Sequence, residues 1–234
     1  MRTREKAVVL LSGGLDSATV LWHARQAGYE LYALSVDYGQ NAFPELEAAR
    51  KLCAAVGVAD HKVVPIGLKA LGGSALVEDR PVPTAATAQR HHGIPETYVP
   101  ARNTVLLSVA LGWAEVVGAY RIMIGANSLD YSGYPDCRPK FIEAFNKLAE
   151  VAVAEGSAGG RHIVVEAPLM AMTKAQIVEY GLSLGVDYSL TVSCYQPAPG
   201  GLACGRCESC ELRLKGFAEA GHTDPVAYVG PGAS

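Results

Sequence analysis

The fold is decided by the stretch Val8-Val9-Leu10-Leu11-Ser12-Gly13-Gly14-Leu15-Asp16-Ser17, which joins a short apolar run to a helical pattern. Ala7–Leu11 predicts a buried strand, and Asp16–Ala27 predicts the helix after it. The two glycines between them permit a sharp turn that brings backbone N–H groups close to an anion. The helix N-terminus adds unpaired donors and partial positive charge, and two serines add hydroxyls. This junction therefore predicts a phosphate-binding turn.

Outward from this turn, short apolar runs alternate with helical patterns. Further strands are predicted at Leu31–Val36, Lys62–Pro65, Arg121–Gly125 and Ile163–Glu166. Further helices are predicted at Pro44–Val56, Asn103–Gly118, Phe141–Ala154 and Lys174–Leu184. This alternation predicts an α/β fold of the Rossmann-like type, with a parallel sheet flanked by helices. Because ligands bind at the carboxyl edge of such a sheet, Ser35 and Val36 at the end of the second strand are expected to meet adenine.

Two regions interrupt the alternation. Gly67–Tyr98 is long, rich in glycine and proline, and weakly periodic, which favours a lid over the site. An irregular but rigid excursion packed on the sheet remains the alternative for this segment. From Ser193 onward the chain is dense in glycine, proline and cysteine. We therefore expect an ATP-binding α/β domain over residues 1–192 and a small metal-held segment over residues 193–234.

Four cysteines in the C-terminal segment predict a metal site, and they are Cys194, Cys204, Cys207 and Cys210. Four thiolates close a tetrahedral shell around Zn²⁺, and a closed shell is structural rather than catalytic. An iron–sulfur cluster remains the rival, although ferredoxin-type runs carry a further cysteine where this chain has Leu214. The nearby cations Arg206, Arg213 and Lys215 are expected to offset the charge of the thiolates. One structural zinc ion is the favoured interpretation.

Composition limits the class of function. The chain has 234 residues, half of them apolar, which is sufficient for a well-filled core. Its 20 Lys and Arg against 23 Asp and Glu give a net charge of −3, without the basic excess typical of nucleic-acid binding. A small-molecule substrate is therefore favoured over a nucleic acid. No apolar run is long enough for a membrane span or a signal sequence, and metal-type cysteine spacing fits a reducing cytoplasm.

The loop Ser12–Ser17 resembles the PP-loop of the ATP pyrophosphatase superfamily, and no Walker lysine motif occurs in the chain. The resemblance implies a site that holds the pyrophosphate of ATP while a substrate oxygen attacks the α-phosphate. The nucleotide is expected to contact residues from the first strand into the first helix, namely Leu10, Leu11, Ser12, Gly13, Gly14, Leu15, Asp16, Ser17, Ala18, Thr19 and Val20. A homodimer is a further expectation from the superfamily.

Three further sequence motifs narrow the resemblance from the superfamily to one family. They are Asp37-Tyr38-Gly39-Gln40, Pro100-Ala101-Arg102-Asn103 and the loop Gly125–Arg138. Together with the PP-loop and the four cysteines they resemble the QueC family over nearly the whole chain. The Cys194–Cys204 interval is one residue longer than expected, which affects only the shape of that loop. The resemblance implies ATP-dependent conversion of 7-carboxy-7-deazaguanine and ammonia, through an amide, into the nitrile. Whether ATP is split to AMP or ADP stays open, and the PP-loop favours AMP.

Roles follow for individual residues. Asp16 and Ser17 are expected to act in catalysis, and Arg102 and Lys174 are the best cations for developing phosphate charge, with surface solvation as their alternative. The deazaguanine pocket is expected to contain Tyr131, Tyr134, Asp136 and Arg138. Asp130 and Asp136 are also candidate ligands for the Mg²⁺ that accompanies ATP.

Other functions fit parts of the sequence. A tRNA-thiolating enzyme shares the PP-loop but would need a basic surface and a reactive cysteine near the loop. Another ATP-dependent amide-forming ligase is possible on the same loop, although no glutaminase domain fits, so free ammonia is the expected nitrogen donor. A non-enzymatic ATP-sensing module would not require the elaborate loop up to Arg138. Cys137 in that loop is expected to be a bystander.

Overall fold

The computed structural model describes residues 4–39, 44–88, 90–129, 133–154, 160–198 and 201–230. Its strands are β1 (Lys6–Leu10), β2 (Glu30–Asp37), β3 (Asp60–Pro65), β4 (Arg90–His91), β5 (Ile94–Pro95), β6 (Arg121–Met123) and β7 (Val164–Glu166). Its helices are α1 (Leu15–Gln26), α2 (Pro44–Val56), α3 (Arg102–Val117), α4 (Pro139–Ala152), α5 (Lys174–Ser183) and α6 (Glu208–Glu219). Short 3₁₀ turns cover Leu68–Leu71, Pro135–Cys137 and Tyr188–Leu190.

Five parallel strands form the central sheet in the order β3-β2-β1-β6-β7. The chain builds outward from β1 to β3 and then returns to place β6 on the other side of β1. This reversal of strand order creates a crevice at the carboxyl ends of β1 and β6, where ligands bind in open α/β sheets. The predicted fold class is confirmed, and the ends of the predicted strands and helices differ from the observed ones by at most two residues.

Helices cover both faces of the sheet because alternate residues of each buried strand point to opposite sides. In β1, Val8 and Leu10 pack into the core beneath α3 and α4, whereas Val9 packs into the core beneath α1 and α5. Phe217 of α6 joins this second core and contacts the Tyr188 ring edge-on at 5.5 Å. The C-terminal segment is therefore packed onto the α/β body through a buried aromatic residue.

Sequence reasoning did not anticipate α6. Glycine, proline and cysteine are frequent in the region before it, and this composition predicted a small metal-held segment without assigning a helix to it. The helix begins immediately after Cys207, which is its N-cap residue, and carries Glu208 and Glu211 in its first turn, where acidic residues favour a helix. None of the described helices combines the length and apolar character required to cross a bilayer.

Candidate active site

A cleft lies at the carboxyl ends of β1, β2 and β6. The PP-loop that follows β1 forms its floor, Tyr38 after β2 forms one wall, and Gly125–Asn127 after β6 forms another. All four residues predicted to act in catalysis line this cleft, namely Asp16, Ser17, Arg102 and Lys174. The tertiary structure thus brings together residues from α1, α3 and α5 that lie far apart in the sequence.

The PP-loop has the geometry of an anion site. Gly13 has a φ of +92°, and a methyl group built on it would lie 2.1 Å from the carbonyl oxygen of Glu45, so only glycine fits. Helix α1 starts after Gly14 without a side-chain cap, which leaves N–H groups of its first turn for an anion. The hydroxyls of Ser12 and Ser17 lie 3.1 Å apart beside these groups.

The other residues predicted to bind the nucleotide divide into two groups. Those that line the cleft are Leu10, Leu11, Ser12, Gly14, Leu15, Asp16, Ser17 and Val36. Ala18, Thr19 and Val20 are fully buried in α1, and the Thr19 hydroxyl lies 2.7 Å from the Tyr188 hydroxyl. The Ser35 hydroxyl donates to the carbonyl of Leu11 at 2.6 Å, inside the sheet. These four side chains support the cleft from behind rather than line it.

Lys174 and Asp16 form a buried ion pair in the cleft. The Lys174 Nζ lies 2.7 Å and 2.9 Å from the two carboxylate oxygens of Asp16. The side-chain exposures are 8% for Lys174 and 16% for Asp16, so solvent screens this pair only weakly. The cation therefore lies directly beside the first turn of α1, where phosphate would bind.

Two neighbouring features hold Lys174 in place. Asn127, which is fully buried, donates to the carbonyls of Leu169 and Met172 at 2.9 Å and 2.5 Å and so fixes the turn before α5. Gly216 of α6 lies against the other side of the lysine, because a methyl group built there would lie 2.3 Å from Lys174 Cγ. The C-terminal helix thus forms part of the wall that confines the lysine stem.

Arg102 enters the cleft from the first residue of α3. Ala101 before it has a φ of +55°, a left-handed conformation that an alanine adopts rarely and that often occurs at functional sites. The Arg102 guanidinium lies 5.9 Å from the centre of the Tyr38 ring. Burial opposes its charge, but the surrounding Tyr38, Tyr134, Cys137 and Asp136 raise its pKa, so the residue stays protonated.

The residues predicted to bind the deazaguanine have different surroundings. Tyr134 lines the cleft, and its hydroxyl lies 2.8 Å from that of Thr97. The Asp136 carboxylate accepts the backbone N–H of Asn103 at 2.9 Å, which caps α3 next to Arg102. Arg138 is exposed at the start of α4. Asp130 and Tyr131 lie outside the described residues.

Cys137 also lines the cleft, although sequence reasoning treated it as a bystander. Its sulfur accepts from the Asn103 side chain at 3.3 Å. Burial raises the pKa of its thiol to about 11, so the group is protonated at neutral pH and is a weak nucleophile. A protonated Cys137 thiol does not support the alternative function of a tRNA-thiolating enzyme, which needs a reactive cysteine.

Sequence reasoning missed two other contributors. Glu45, in the first turn of α2, lines the cleft beside the PP-loop. Ser193 closes the loop from the C-terminal side, because its hydroxyl accepts the Leu15 N–H at 3.3 Å. A signal existed for Glu45, since an acidic residue opens the helix that follows the carboxyl end of β2, but no local pattern marks Ser193.

Arg213 holds Ser193 in this position beside the PP-loop. It was expected to offset the charge of the thiolates, but its own charge is paired with a carboxylate. Its guanidinium pairs with the Asp224 carboxylate at 2.7 Å and 2.9 Å, and both side chains are almost fully buried. Its remaining donors reach the Thr191 and Ser193 hydroxyls at 2.7 Å and 3.2 Å and the Tyr188 carbonyl at 3.1 Å. Arg213 therefore links α6 to the residue that contacts the PP-loop.

The four cysteines form a cluster that is compatible with a metal ion. Their sulfurs all lie within 4.8 Å of one another, and those of Cys204 and Cys210 are 3.9 Å apart. A tetrahedral zinc site with Zn–S bonds of about 2.3 Å needs sulfurs about 3.8 Å apart, so the donor set fits. The Cys204 N–H donates to the sulfur of Cys194 at 3.2 Å, within the cluster.

The predicted lid, Gly67–Tyr98, is folded against the body in the structure. Leu76 is buried and lines the cleft, and Arg80 pairs with Glu78 and Glu96 at 2.7 Å each. These contacts fit the alternative interpretation of the sequence, in which this segment is irregular but rigid and packs on the sheet. A change in order on ligand binding stays a prediction.

The same segment is fixed to the cysteine cluster. The Ala85 N–H donates to the Arg206 carbonyl at 3.0 Å, and the Arg90 guanidinium pairs with Glu208 at 2.9 Å. Both partners adjoin Cys207 in the sequence. The cluster thus lies between the segment above the cleft and helix α6 beside it.

Comparison with known proteins identifies the family. The family model described as "Queuosine biosynthesis protein QueC" matches residues 6–221. The 7-cyano-7-deazaguanine synthase of Syntrophotalea carbinolica is 60% identical over 225 residues, which cover 96% of this chain and 97% of that protein. The protein of the same name from Geotalea daltonii is 57% identical over 226 residues, which cover 97% of each chain. With a match that spans both the PP-loop and the cysteine cluster, this chain belongs to the QueC family.

Proposed function

We propose that this chain is an ATP-dependent ligase that forms a carbon–nitrogen bond, converting 7-carboxy-7-deazaguanine and ammonia into 7-cyano-7-deazaguanine. Relatives of that name match nearly the whole chain. The observation that carries the proposal is the joint placement, in one cleft, of the PP-loop, the Lys174–Asp16 pair and Arg102. This arrangement suits the activation of an oxygen by phosphate at a site with buried cations.

In the first stage, a carboxylate oxygen of the substrate attacks the α-phosphorus of ATP and pyrophosphate leaves. The first-turn N–H groups of α1, with the Ser12 and Ser17 hydroxyls, bind the phosphates. Lys174 and Arg102 stabilise the negative charge that develops on them. Ammonia then attacks the activated carboxyl carbon, and the C–O bond breaks as AMP leaves, giving the amide.

In the second stage, the same cleft activates the amide. The amide oxygen attacks the α-phosphorus of a second ATP, pyrophosphate leaves, and the nitrogen loses its protons. The C–O bond then breaks with AMP as the leaving group, and the nitrile forms. One PP-loop serves both stages, so one set of side chains must accept first a carboxylate and then an amide at the same position.

The metal assignments belong to this proposal. Zn²⁺ is the ion that suits four closely spaced thiolates, and there it would hold the C-terminal segment together without touching substrate. Mg²⁺ would neutralise phosphate charge, with Asp136 and Asp130 as its candidate protein ligands. Tyr134 and Arg138, with Tyr131, are the candidates for binding the deazaguanine, and Val36 for adenine.

A direct assay tests the function. The full chain is incubated with ATP, ammonium and 7-carboxy-7-deazaguanine, and products are followed by mass spectrometry. We expect the amide to appear first, the nitrile to follow, and two AMP to form per nitrile. Omission of ammonium should abolish both products. Unchanged carboxylate in the complete mixture would reject the function, and ADP in place of AMP would reject attack at the α-phosphorus.

A further inference from the structure

One carboxylate in the cleft, that of Glu45, forms no hydrogen bond or ion pair within the part of the chain that the structure describes. Among the described residues, Asp16 and Glu45 are the carboxylates that line the cleft, and both oxygens of Asp16 are bonded to Lys174. Glu45 makes no hydrogen bond or ion pair with any other part of the described chain. A half-buried carboxylate without such a partner costs free energy, so its presence calls for a ligand.

Glu45 lies beside the PP-loop. Its backbone carbonyl lies against Gly13, where a methyl group would approach it to 2.1 Å, so Glu45 adjoins the PP-loop directly. Arg102 from α3 and Tyr38 after β2 are the charged or titratable groups that act on it. The preceding residues 40–43 carry no titratable side chain.

The environment also suits proton transfer. Burial raises the pKa of Glu45 to about 8, and the positive charge of Arg102 opposes this rise only in part. A carboxyl group that titrates near neutral pH can both accept and release a proton at the working pH of an enzyme. Asp16 is less suited to this role, because both of its carboxylate oxygens already accept hydrogen bonds from Lys174.

Resting on the proposed function, we infer that Glu45 binds the ammonium ion and accepts its proton when the amide forms. Ammonia in neutral water is mainly ammonium, which has no lone pair to attack with. The Glu45 carboxylate takes one proton from ammonium, and the freed ammonia attacks the carboxyl carbon of the adenylate. The C–O bond breaks with its electron pair on AMP, and the nitrogen loses a second proton to water. The acyl-adenylate and ammonium thus give the amide, AMP and two protons, of which one is held by Glu45 and one is released to water.

The test separates adenylation from amination. In Glu45→Gln, exchange of pyrophosphate into ATP with the carboxylate present should stay near the wild-type rate. Amide formation with ammonium should fall on the order of 10²-fold, because the proton acceptor is gone. Hydroxylamine is largely unprotonated at neutral pH and needs no base to become a nucleophile. It should therefore restore product formation, as the hydroxamate, to the wild-type level.

The matched control is Glu47→Gln, an exposed acid in the same helix that pairs with Arg50 at 3.3 Å. It should behave as wild type with both nucleophiles. The inference is overturned if Glu45→Gln aminates normally with ammonium, if it loses exchange to the same degree, or if hydroxylamine is equally slow. A wild-type protein that forms no amide at all would count instead against the proposed function.

Discussion

At the scale of single residues, the Lys174–Asp16 pair is a buried ion pair that lines the cleft beside the PP-loop. Neither side chain is more than 16% exposed, so water screens the charges of the pair only weakly. The ammonium group can turn toward a phosphate while its stem stays fixed between the turn before α5 and Gly216. Arg102 lines the same cleft beside Tyr38, so two cations share the cleft with the PP-loop.

Lys174→Met keeps the length of the stem and removes the charge. We expect the rate of both chemical stages to fall roughly 10²- to 10³-fold, as when one preorganised electrostatic contact is lost. Both stages should suffer equally, since one site serves them, and the measurement is the rate of amide and of nitrile formation. Lys215→Met is the control, because Lys215 is exposed and pairs with Glu219 at 3.7 Å. An effect on only one stage would contradict a shared site.

At the scale of elements, the contact between α5 and α6 depends on one glycine. Gly216 lies inside α6, where glycine costs about 1 kcal/mol relative to alanine, so packing must favour it. The methyl group of Gly216→Ala would lie 2.3 Å from Lys174 Cγ and 2.9 Å from its Cβ. The two helices must then separate or the lysine must move.

We expect Gly216→Ala to destabilise the protein by about 1–3 kcal/mol through overpacking, and to raise the KM for ATP as Lys174 shifts. Thermal unfolding and ATP titration measure the two effects. Gly112→Ala in α3 is the matched control, because no atom lies within 4 Å of its added methyl group. That change should leave the KM unaltered and stability equal or higher. If the two variants behaved alike, α6 would have no part in placing Lys174.

At the scale of the whole molecule, the cysteine cluster connects three parts of the site. Residues next to Cys207 bind the segment above the cleft, α6 confines Lys174, and Arg213 holds Ser193 against the PP-loop. Metal binding and the order of the cleft should therefore be coupled. Metal sites of this kind commonly contribute their binding free energy to folding.

Cys207→Ala should lose its metal and release the segment that contains Arg80 and Arg90. Metal analysis, thermal unfolding and limited trypsin digestion measure these effects. Cleavage near either arginine should be several times faster than in wild type, while ATP with substrate should slow cleavage of the wild type further. Cys53→Ala, which removes a buried cysteine outside the cluster, should keep the metal and the slow digestion. Equal cleavage of wild type with and without ligands would remove the lid from the mechanism.

Much of the site was predictable because its signals are local. The Gly-Gly turn between a buried strand and a helix marks the anion site, since both the turn and the helix terminus are built from neighbouring residues. The cysteine spacing likewise places four sulfurs within reach of one ion. Arg102 and Lys174 were expected as cations, and the structure places them in one cleft. Glu45 was missed because its place in the cleft, without a hydrogen-bond or ion-pair partner among the described residues, depends on how α2 packs beside the PP-loop.

The sequence by itself determined the alternating α/β order, the anion-binding turn and the metal-type cluster, because periodicity and spacing act over a few residues. Only the tertiary structure decided what the C-terminal segment does. Arg213 is expected from sequence to be a neighbour of thiolates, but its guanidinium lies in a buried pair with Asp224 and holds Ser193 at the PP-loop. Such a role depends on contacts between residues nearly two hundred positions apart, which are fixed by the packing of helices on the sheet and leave no pattern in the local sequence.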